Sequence, residues 1–416
     1  MEKSIQKQLL NCRQAKRNMA KLRSEDRAQL LRDLSKTLRE NKDLIIAANL
    51  RDLNKMDSND SKYDRLRLDE NRIEELVKAV EKVASLSDPI DALLTERVLE
   101  NGLLLQKRSV ALGVVAVIYE SRPNVTIDVA SLCLRSGNVC LLRGGSDAWE
   151  SNSVLVGLIQ QVLNKAGLDP NMVQLLPVER ELLMELLHAK GDVDILIPRG
   201  SQGLIDFVRT HAKVPVIETG AGVCHTYVDH TADLQMAAKI IANAKISRPS
   251  VCNALDTILV DKEVVSNLIA FLVPYFKAAE VQVLADEVAY PYWLNLAYPY
   301  LNLADATDFG REFLSLACSM KSVSGLESAL EHISEYSSKH SECIVSSNSE
   351  NISNFMRAVD AAAVYANAST RFTDGAEFGL GAEIGISTQK LHARGPFALE
   401  KLVCEKWFVT GHGQIR

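Results

Sequence analysis

No two cysteines in this 416-residue chain are spaced as C-x-x-C, although there are 8 of them. They stand at positions 12, 133, 140, 224, 252, 318, 343 and 404, without a framework of spacings. A thiolate zinc site or a dithiol redox motif is therefore not expected, and a chain of this length needs no disulfide staples. The thiols read as reduced, which suits a cytoplasmic protein, and most of them as small buried hydrophobes. There is no H-E-x-x-H, and His225 and His230 form only an isolated pair, so no metal is expected. No apolar run approaches the ~18 residues of a membrane span, and residues 1–40 mix charged with apolar positions where a secretory segment would be apolar. Positive charge is not in excess: 47 Lys plus Arg face 53 Asp plus Glu, a net charge of −6. That balance argues against nucleic acid as a partner. Internal repeats are missing as well.

What is present belongs to a soluble globular class, with 47 % hydrophobic and 24 % charged residues. The length suggests two or three domains. Leu30, Leu31, Leu34 and Leu38 recur at helical spacing behind Ser24-Glu25-Asp26, which reads as an N-cap and acidic first turn. Ile73, Leu76, Val77, Val80 and Val83 form a second stripe, and Met56–Lys62 a polar connector between the two. Asn101-Gly102 between apolar runs predicts a β-hairpin. Strands are then expected at 113–119, 139–142, 173–176, 194–197 and 214–217, with helices at 127–135, 151–165, 179–188 and 204–210. A second alternating block has strands at 257–260, 281–284, 341–346 and 362–365 and helices at 234–244, 263–277 and 326–336, while 290–308 is aromatic and irregular. A last strand is expected at 402–410. Strand–helix alternation at this spacing means parallel sheets covered on both faces, with ligands at strand ends.

Glycines cluster where strands should end. Leu141-Leu-Arg-Gly-Gly-Ser146 and Ile197-Pro-Arg-Gly-Ser-Gln-Gly203 each precede a helix, where backbone can approach an anion. Neither matches G-x-G-x-x-G, so the standard dinucleotide fingerprint is missing, and ordinary strand–helix turns are the competing explanation. Arg143 with Ser146, in place of an acid, leaves room for a ribose 2′-phosphate, although Asp147 is next door. Cys252 lies in Arg248-Pro-Ser-Val-Cys-Asn253, before an expected strand and near Lys245 and Arg248, whose charge would favour a thiolate. Cys224 beside His225 is discounted, because neighbours on a strand point to opposite faces. Glu218, before Thr219-Gly-Ala-Gly222, is a candidate base or a structural turn residue.

Six segments together carry a resemblance. They are Ser121-Arg-Pro-Asn-Val-Thr, Leu141-Leu-Arg-Gly-Gly-Ser, Pro215-Val-Ile-Glu-Thr-Gly, Arg248-Pro-Ser-Val-Cys-Asn, Ser338-Lys-His-Ser-Glu and the run from Phe372 to Pro396 with Ala-Glu-Ile-Gly-Ile-Ser-Thr-Gln-Lys-Leu-His-Ala-Arg-Gly-Pro. The chain resembles the γ-glutamyl phosphate reductases, a family of the aldehyde dehydrogenase superfamily, over essentially its whole length, and looks like the stand-alone reductase, without an amino-kinase domain. Residues 280–315 are only loosely similar.

The resemblance implies an α/β, aldehyde-dehydrogenase-like fold of two Rossmann-like parallel-sheet domains plus a β-hairpin oligomerisation arm. It assigns 1–94, 111–224 and 366–396 to an NADP-binding domain, 225–365 to a catalytic domain carrying Cys252, and 95–110 with 397–416 to the arm. It implies NADPH-dependent reduction of L-glutamate 5-phosphate to the semialdehyde, the second step of proline biosynthesis from glutamate, in a cytoplasmic homo-oligomer. It leaves open an association with glutamate 5-kinase. Cys252 matches the nucleophile, Asn124 the oxyanion-holding amide, and Glu218 the superfamily's water-activating acid. Arg143, Ser146, Gly200, Ser201 and Glu383 match cofactor positions. Arg248, His392 and Arg394 fall in segments expected to meet substrate carboxylate or leaving phosphate. Two alternatives stand beside this: another acyl or aldehyde dehydrogenase using NAD, and a non-catalytic binding protein on the same fold.

Overall fold

The structure is a computed structural model and describes residues 4–57, 60 and 62–416. Part of the Met56–Lys62 connector lies outside the described residues. The chain separates into two compact units. The first runs to Thr219 and adds Gly379–Gly385 and Pro396–Arg416; the second is Gly220–Phe378 with Ile386–Gly395. Of the stretch 366–396 that the resemblance assigns to a cofactor domain, 366–378 and 386–395 cluster with the second unit.

In the first unit five helices come first: α1 (Gln6–Met19), α2 (Ser24–Glu40), α3 (Lys42–Leu53), the single turn α4 (Tyr63–Leu66) and α5 (Glu70–Ser85). Both apolar stripes lie inside, Leu31 and Leu34 from α2 and Val77 and Val80 from α5. Burying each contributes roughly 1.5–3 kcal/mol. Ser24 is not the N-cap expected: it opens α2 itself, and Asp26 turns back to accept the Arg23 backbone N–H at 3.0 Å.

The hairpin forms from β1 (Leu93–Val98) and β2 (Leu104–Ala111), antiparallel around Asn101-Gly102. The apolar run 110–119 is then broken at Gly113, whose φ of +130° an L-residue rarely adopts. Beyond it, β3 (Val114–Tyr119) is buried at all six positions, as befits a parallel strand covered on both faces. There follow α6 (Pro123–Arg135), β4 (Val139–Arg143), α7 (Trp149–Lys165), β5 (Val173–Leu175), α8 (Arg180–Leu187), β6 (Ile195–Arg199) and α9 (Gln202–His211). These strands make a parallel sheet of order β5-β4-β3-β6. The strand expected at 214–217 is reduced to one bridge, Val216 against Leu196.

The second unit contains β7 (Cys224–Val228), α10 (Leu234–Ile246), β8 (Leu255–Asp261), α11 (Val265–Ala278), β9 (Gln282–Ala285), α12 (Tyr290–Asn295), β10 (Leu301–Leu303), β11 (Ala317–Val323), α13 (Leu326–Tyr336), β12 (Ser341–Val345), α14 (Ser349–Ala358) and β13 (Ala363–Ala366). All seven strands are parallel, in the order β10-β9-β11-β8-β7-β12-β13. Alternate strand residues feed opposite faces. Ile258 and Val260 join Phe276, Trp293 and Met320 on one side, while Leu259 joins Tyr227, Ile344 and Phe355 on the other. Three strands here escape the sequence reading, β7, β10 and β11, and in β7 and β11 polar residues interrupt the apolar pattern. Those residues are satisfied inside: His225 Nδ1 lies 3.0 Å from the Glu342 carboxylate, and the Ser319 and Thr257 hydroxyls are 2.8 Å apart. The aromatic stretch after Tyr290 resolves into α12 and β10.

Two short strands, β14 (Gly385–Ser387) and β15 (Gly395–Phe397), precede β16 (Val403–Thr410), which pairs antiparallel with β2. The resulting sheet β1-β2-β16 exposes Leu93, Leu94, Val98, Trp407, Phe408 and Val409. Among the described residues, no helix is long and apolar enough to cross a membrane.

Candidate active site

In the first unit the site residues gather at the carboxyl ends of the sheet. Arg143 ends β4 opposite Ile118, and Arg199 ends β6 opposite Tyr119. Arg143 is largely turned inward. Its Nη2 donates to the carbonyls of Val178 at 2.9 Å and Glu179 at 3.3 Å, its Nε is buried without a partner, and burial lowers its pKa. Ser146 is exposed at the rim of a pocket of ≈ 440 Å³ that Asp52, Lys55, Asp57, Asp60 and Asp147 also line.

Gly200 and Ser201 form the turn into α9. The Ser201 backbone N–H donates to Glu120 Oε2 at 2.8 Å, and a Cβ at Gly200 would come within 2.5 Å of the same oxygen. A carboxylate thus occupies the position where a helix start receives an anion. Glu120 carries no signal in the sequence beyond following β3. Asn124 sits in the first turn of α6, where its Nδ2 donates to Asp128 Oδ2 at 3.2 Å one turn later. Burial pushes the Asp128 carboxyl up to about 6, while Asn124 and Arg199 pull the other way. Glu218 follows no strand, contrary to expectation; its Oε2 lies 3.6 Å from Arg209 Nη1 of α9. Glu383 is half-buried beside Ile384, whose N–H donates to the Phe397 carbonyl at 2.8 Å.

In the second unit Cys252 lies on the turn between α10 and β8. Six of the cysteines are buried and Cys404 is exposed, so Cys252 is the one half-buried thiol. Its carbonyl accepts a hydrogen bond from Cys224 Sγ at 3.3 Å, and a side chain on Gly222 would overlap that same oxygen. Next to it, Asn253 Nδ2 donates to the Thr373 carbonyl at 2.9 Å, and Thr370 Oγ1 donates to the Asn253 carbonyl at 2.8 Å. The cation expected from Lys245 is not available to the thiol. That side chain is fully buried, with Nζ 3.7 Å from Asp256 and 3.2 Å from the Ser315 carbonyl. Arg371 takes its place: burial lowers its pKa, and Arg248 and Cys252 are both among its electrostatic neighbours. Glu312 accepts the Gly222 N–H at 2.9 Å and so puts a carboxylate beside the Cys252 loop. Its only sequence signal is an acid in an aromatic setting.

Arg248 and His392 are exposed, the latter with φ +65°. Arg394 Nη2 donates to Asp360 Oδ1 at 2.6 Å. His225 and His230 do not meet: the first is buried on Glu342, and the second stands 3.0 Å from Asp229 and 3.6 Å from Asp261. The β7–β8 pairing is irregular between Cys224 and His225, and the two side chains meet different partners, Cys224 Sγ the Cys252 carbonyl and His225 Nδ1 the Glu342 carboxylate.

The aldehyde dehydrogenase family model matches residues 1–289. A γ-glutamyl phosphate reductase of Pelodictyon phaeoclathratiforme is 51 % identical, covering 100 % of both chains. Another, from Chlorobaculum parvum, is 55 % identical over 93 % of this chain and 92 % of its own. The chain belongs to the γ-glutamyl phosphate reductases of the aldehyde dehydrogenase family. The crystal structure of a γ-glutamyl phosphate reductase from Thermotoga maritima superposes with a TM-score of 0.94 at 38 % identity, covering 99 % of each chain. The aldehyde-dehydrogenase-like α/β fold is therefore this chain's fold, and the chain is an oxidoreductase of this family; an engineered glycolyl-CoA reductase of the same fold, 15 % identical to this chain, has NADP+ bound. The residues at hand fit that group. The unpartnered Nε of Arg143 and the anion-receptive start of α9 suit its phosphates, and Gly200 keeps the backbone open to them.

Proposed function

We propose that this protein reduces L-glutamate 5-phosphate to L-glutamate 5-semialdehyde, with Cys252 as covalent nucleophile and NADPH as reductant. The names of the relatives support the substrate, and the half-buried thiol on a turn near two arginines supports the nucleophile. Positive charge there favours the thiolate. The Cys252 sulfur attacks the acyl carbon, the bond to the phosphate oxygen breaks, and phosphate leaves carrying a proton from solvent, so that a thioester remains. A bound reduced nicotinamide supplies the hydride that brings the thioester carbon to the aldehyde level. The carbon–sulfur bond of the thiohemiacetal then breaks, releasing the semialdehyde and restoring the thiolate. Asn124 donates to the oxyanion, together with the Cys252 N–H; one such donor is worth about 3–4 kcal/mol. Water has no part in this sequence, so Glu218, with Arg209 beside it, shapes the site or relays a proton.

Arg143, Ser146, Gly200, Ser201 and Glu383 would hold the cofactor, and Arg248, His392 and Arg394 the substrate's anionic groups. The apolar outer residues of the β1-β2-β16 sheet support a homo-oligomer, because both edge strands present unpaired backbone. The observation that carries the reading is Cys252 itself. Cys252→Ser is expected to abolish turnover and to leave NADPH binding, followed by fluorescence, unchanged. Substantial turnover by that variant would end the covalent mechanism.

One observation favours a second reading, with NAD in place of NADP. The pocket at Ser146 is lined by four aspartates and one lysine, which suits ribose hydroxyls better than a 2′-phosphate. The ratio of kcat/KM for NADPH to that for NADH decides between them.

A further inference from the structure

At the amino-terminal ends of β7, β12 and β13, three cations surround one carboxylate in the second unit. Arg394 Nη2 lies 2.6 Å, Lys390 Nζ 3.0 Å and Lys339 Nζ 3.7 Å from the carboxylate of Asp360. The hydrogen bonds and attraction of Arg394 and Lys390 hold that carboxyl down at about 2. One negative charge does not balance three positive ones, and the excess is about that of a phosphate dianion. Arg394 also has a buried Nε without a partner.

The cluster is joined to the nucleophile loop by short links. The Ser338 hydroxyl, next to Lys339, accepts the Val223 N–H at 2.7 Å. Val223 follows Gly222, the residue pressed against the Cys252 carbonyl. From the other side, Thr388 Oγ1, two residues before Lys390, lies 3.6 Å from where a Gly220 side chain would begin. The Ala362 N–H donates to the Lys339 carbonyl at 2.8 Å, which ties the Asp360 turn to the same loop. Segments 220–223, 338–339, 360–362 and 388–394 are thus linked to one another, and the first of them abuts the Cys252 carbonyl. Lys339 and Lys390 are about half and two-thirds exposed, free to swing from Asp360 to a ligand.

We propose that Lys339, Lys390 and Arg394 form the subsite for the phosphate group of the acyl phosphate, and that Asp360 gathers them until that anion arrives. The inference rests on the acyl-phosphate reading above and assigns its leaving group a receptor. The phosphate is bonded to the very carbon that Cys252 attacks, so its receptor must adjoin the nucleophile loop. Asp360 keeps the flexible cations in one place and yields to a ligand of higher charge.

The test runs the reaction backwards, with semialdehyde, inorganic phosphate and oxidised cofactor. Lys339→Met and Lys390→Met are each expected to raise the KM for phosphate about tenfold, leaving that for semialdehyde unchanged. Asp360→Asn is expected to lower the KM for phosphate, an effect that mere damage to the fold would not give. Unaltered phosphate KM in both lysine variants overturns the proposal. So does a rise confined to the semialdehyde KM, which would assign the cluster to the substrate's α-carboxylate. A wild-type enzyme that oxidises semialdehyde without any need for phosphate removes the acyl-phosphate reading itself, and this proposal with it.

Discussion

The Glu120 carboxylate accepts the backbone N–H of Ser201 at 2.8 Å, so a side chain of the protein already caps the helix start at which a dinucleotide's phosphates are expected. The two anions compete for one set of N–H groups. Glu120→Gln is therefore expected to tighten cofactor binding about fivefold, the effect of removing one like charge from a helix terminus. Fluorescence titration with the reduced nucleotide measures it, and weaker binding would show that Glu120 supports the site.

Gly222 is fixed by contact, since its missing side chain leaves room for the Cys252 carbonyl. Gly222→Ala must push the nucleophile loop away. Overpacking of this kind costs about 1–3 kcal/mol. A fall in kcat of at least about tenfold is expected, with a lower melting temperature, and a variant with normal kcat would show that the loop tolerates the shift.

Asn124 and Asp128 separate catalysis from stability. Asn124→Ala is expected to lower kcat by about 10²–10³ while KM changes little, as for loss of one oxyanion donor. Asp128 has its folded pKa raised to about 6 from an ordinary 3.8. Its contribution to stability is present below about pH 4 and lost as pH rises through 6, about 3 kcal/mol in all. Urea unfolding of Asp128→Asn against wild type at pH 4 and pH 7 should show the variant gaining relative stability at the higher pH.

His332 works with the opposite sign. Burial, then His225 and Lys321, push its pKa down to about 3, and its ring packs against Phe309 and Tyr336. The unfolded chain takes a proton near pH 6.5 and the folded one does not, so stability falls as pH drops below 6.5, by about 1.4 kcal/mol per unit. His332→Phe keeps a ring and removes the titration. Its loss of stability between pH 6.5 and pH 5 should be smaller than that of wild type.

Periodicity reveals the elements whose residues obey it. The stripes of α2 and α5, the fully apolar β3 and the Asn101-Gly102 hairpin are all legible, because each obeys one local rule. Cys252 stands out by its turn-like setting and by resemblance. The rest depends on partners far along the chain. β7 and β11 hide because His225 and Ser319 are polar until Glu342 and Thr257 meet them. The segment 214–217 is apolar enough for a strand but has a single bridge to hold it. Lys245 sits near Cys252 in sequence, yet Asp256 holds it within the core, and Arg371, more than a hundred positions away, stands near the thiol in its place.

The placement of β11 has a consequence for how the chain is made. This strand lies between β8 and β9 yet is encoded after both. On the ribosome, those two strands emerge first and must leave a slot one strand wide. At ordinary elongation rates the slot waits a few seconds for residues 317–323. During that interval two bare backbone edges face each other across a gap, open to any stray extended segment. A nascent chain of this protein is most in need of a chaperone there, before β11 has been translated.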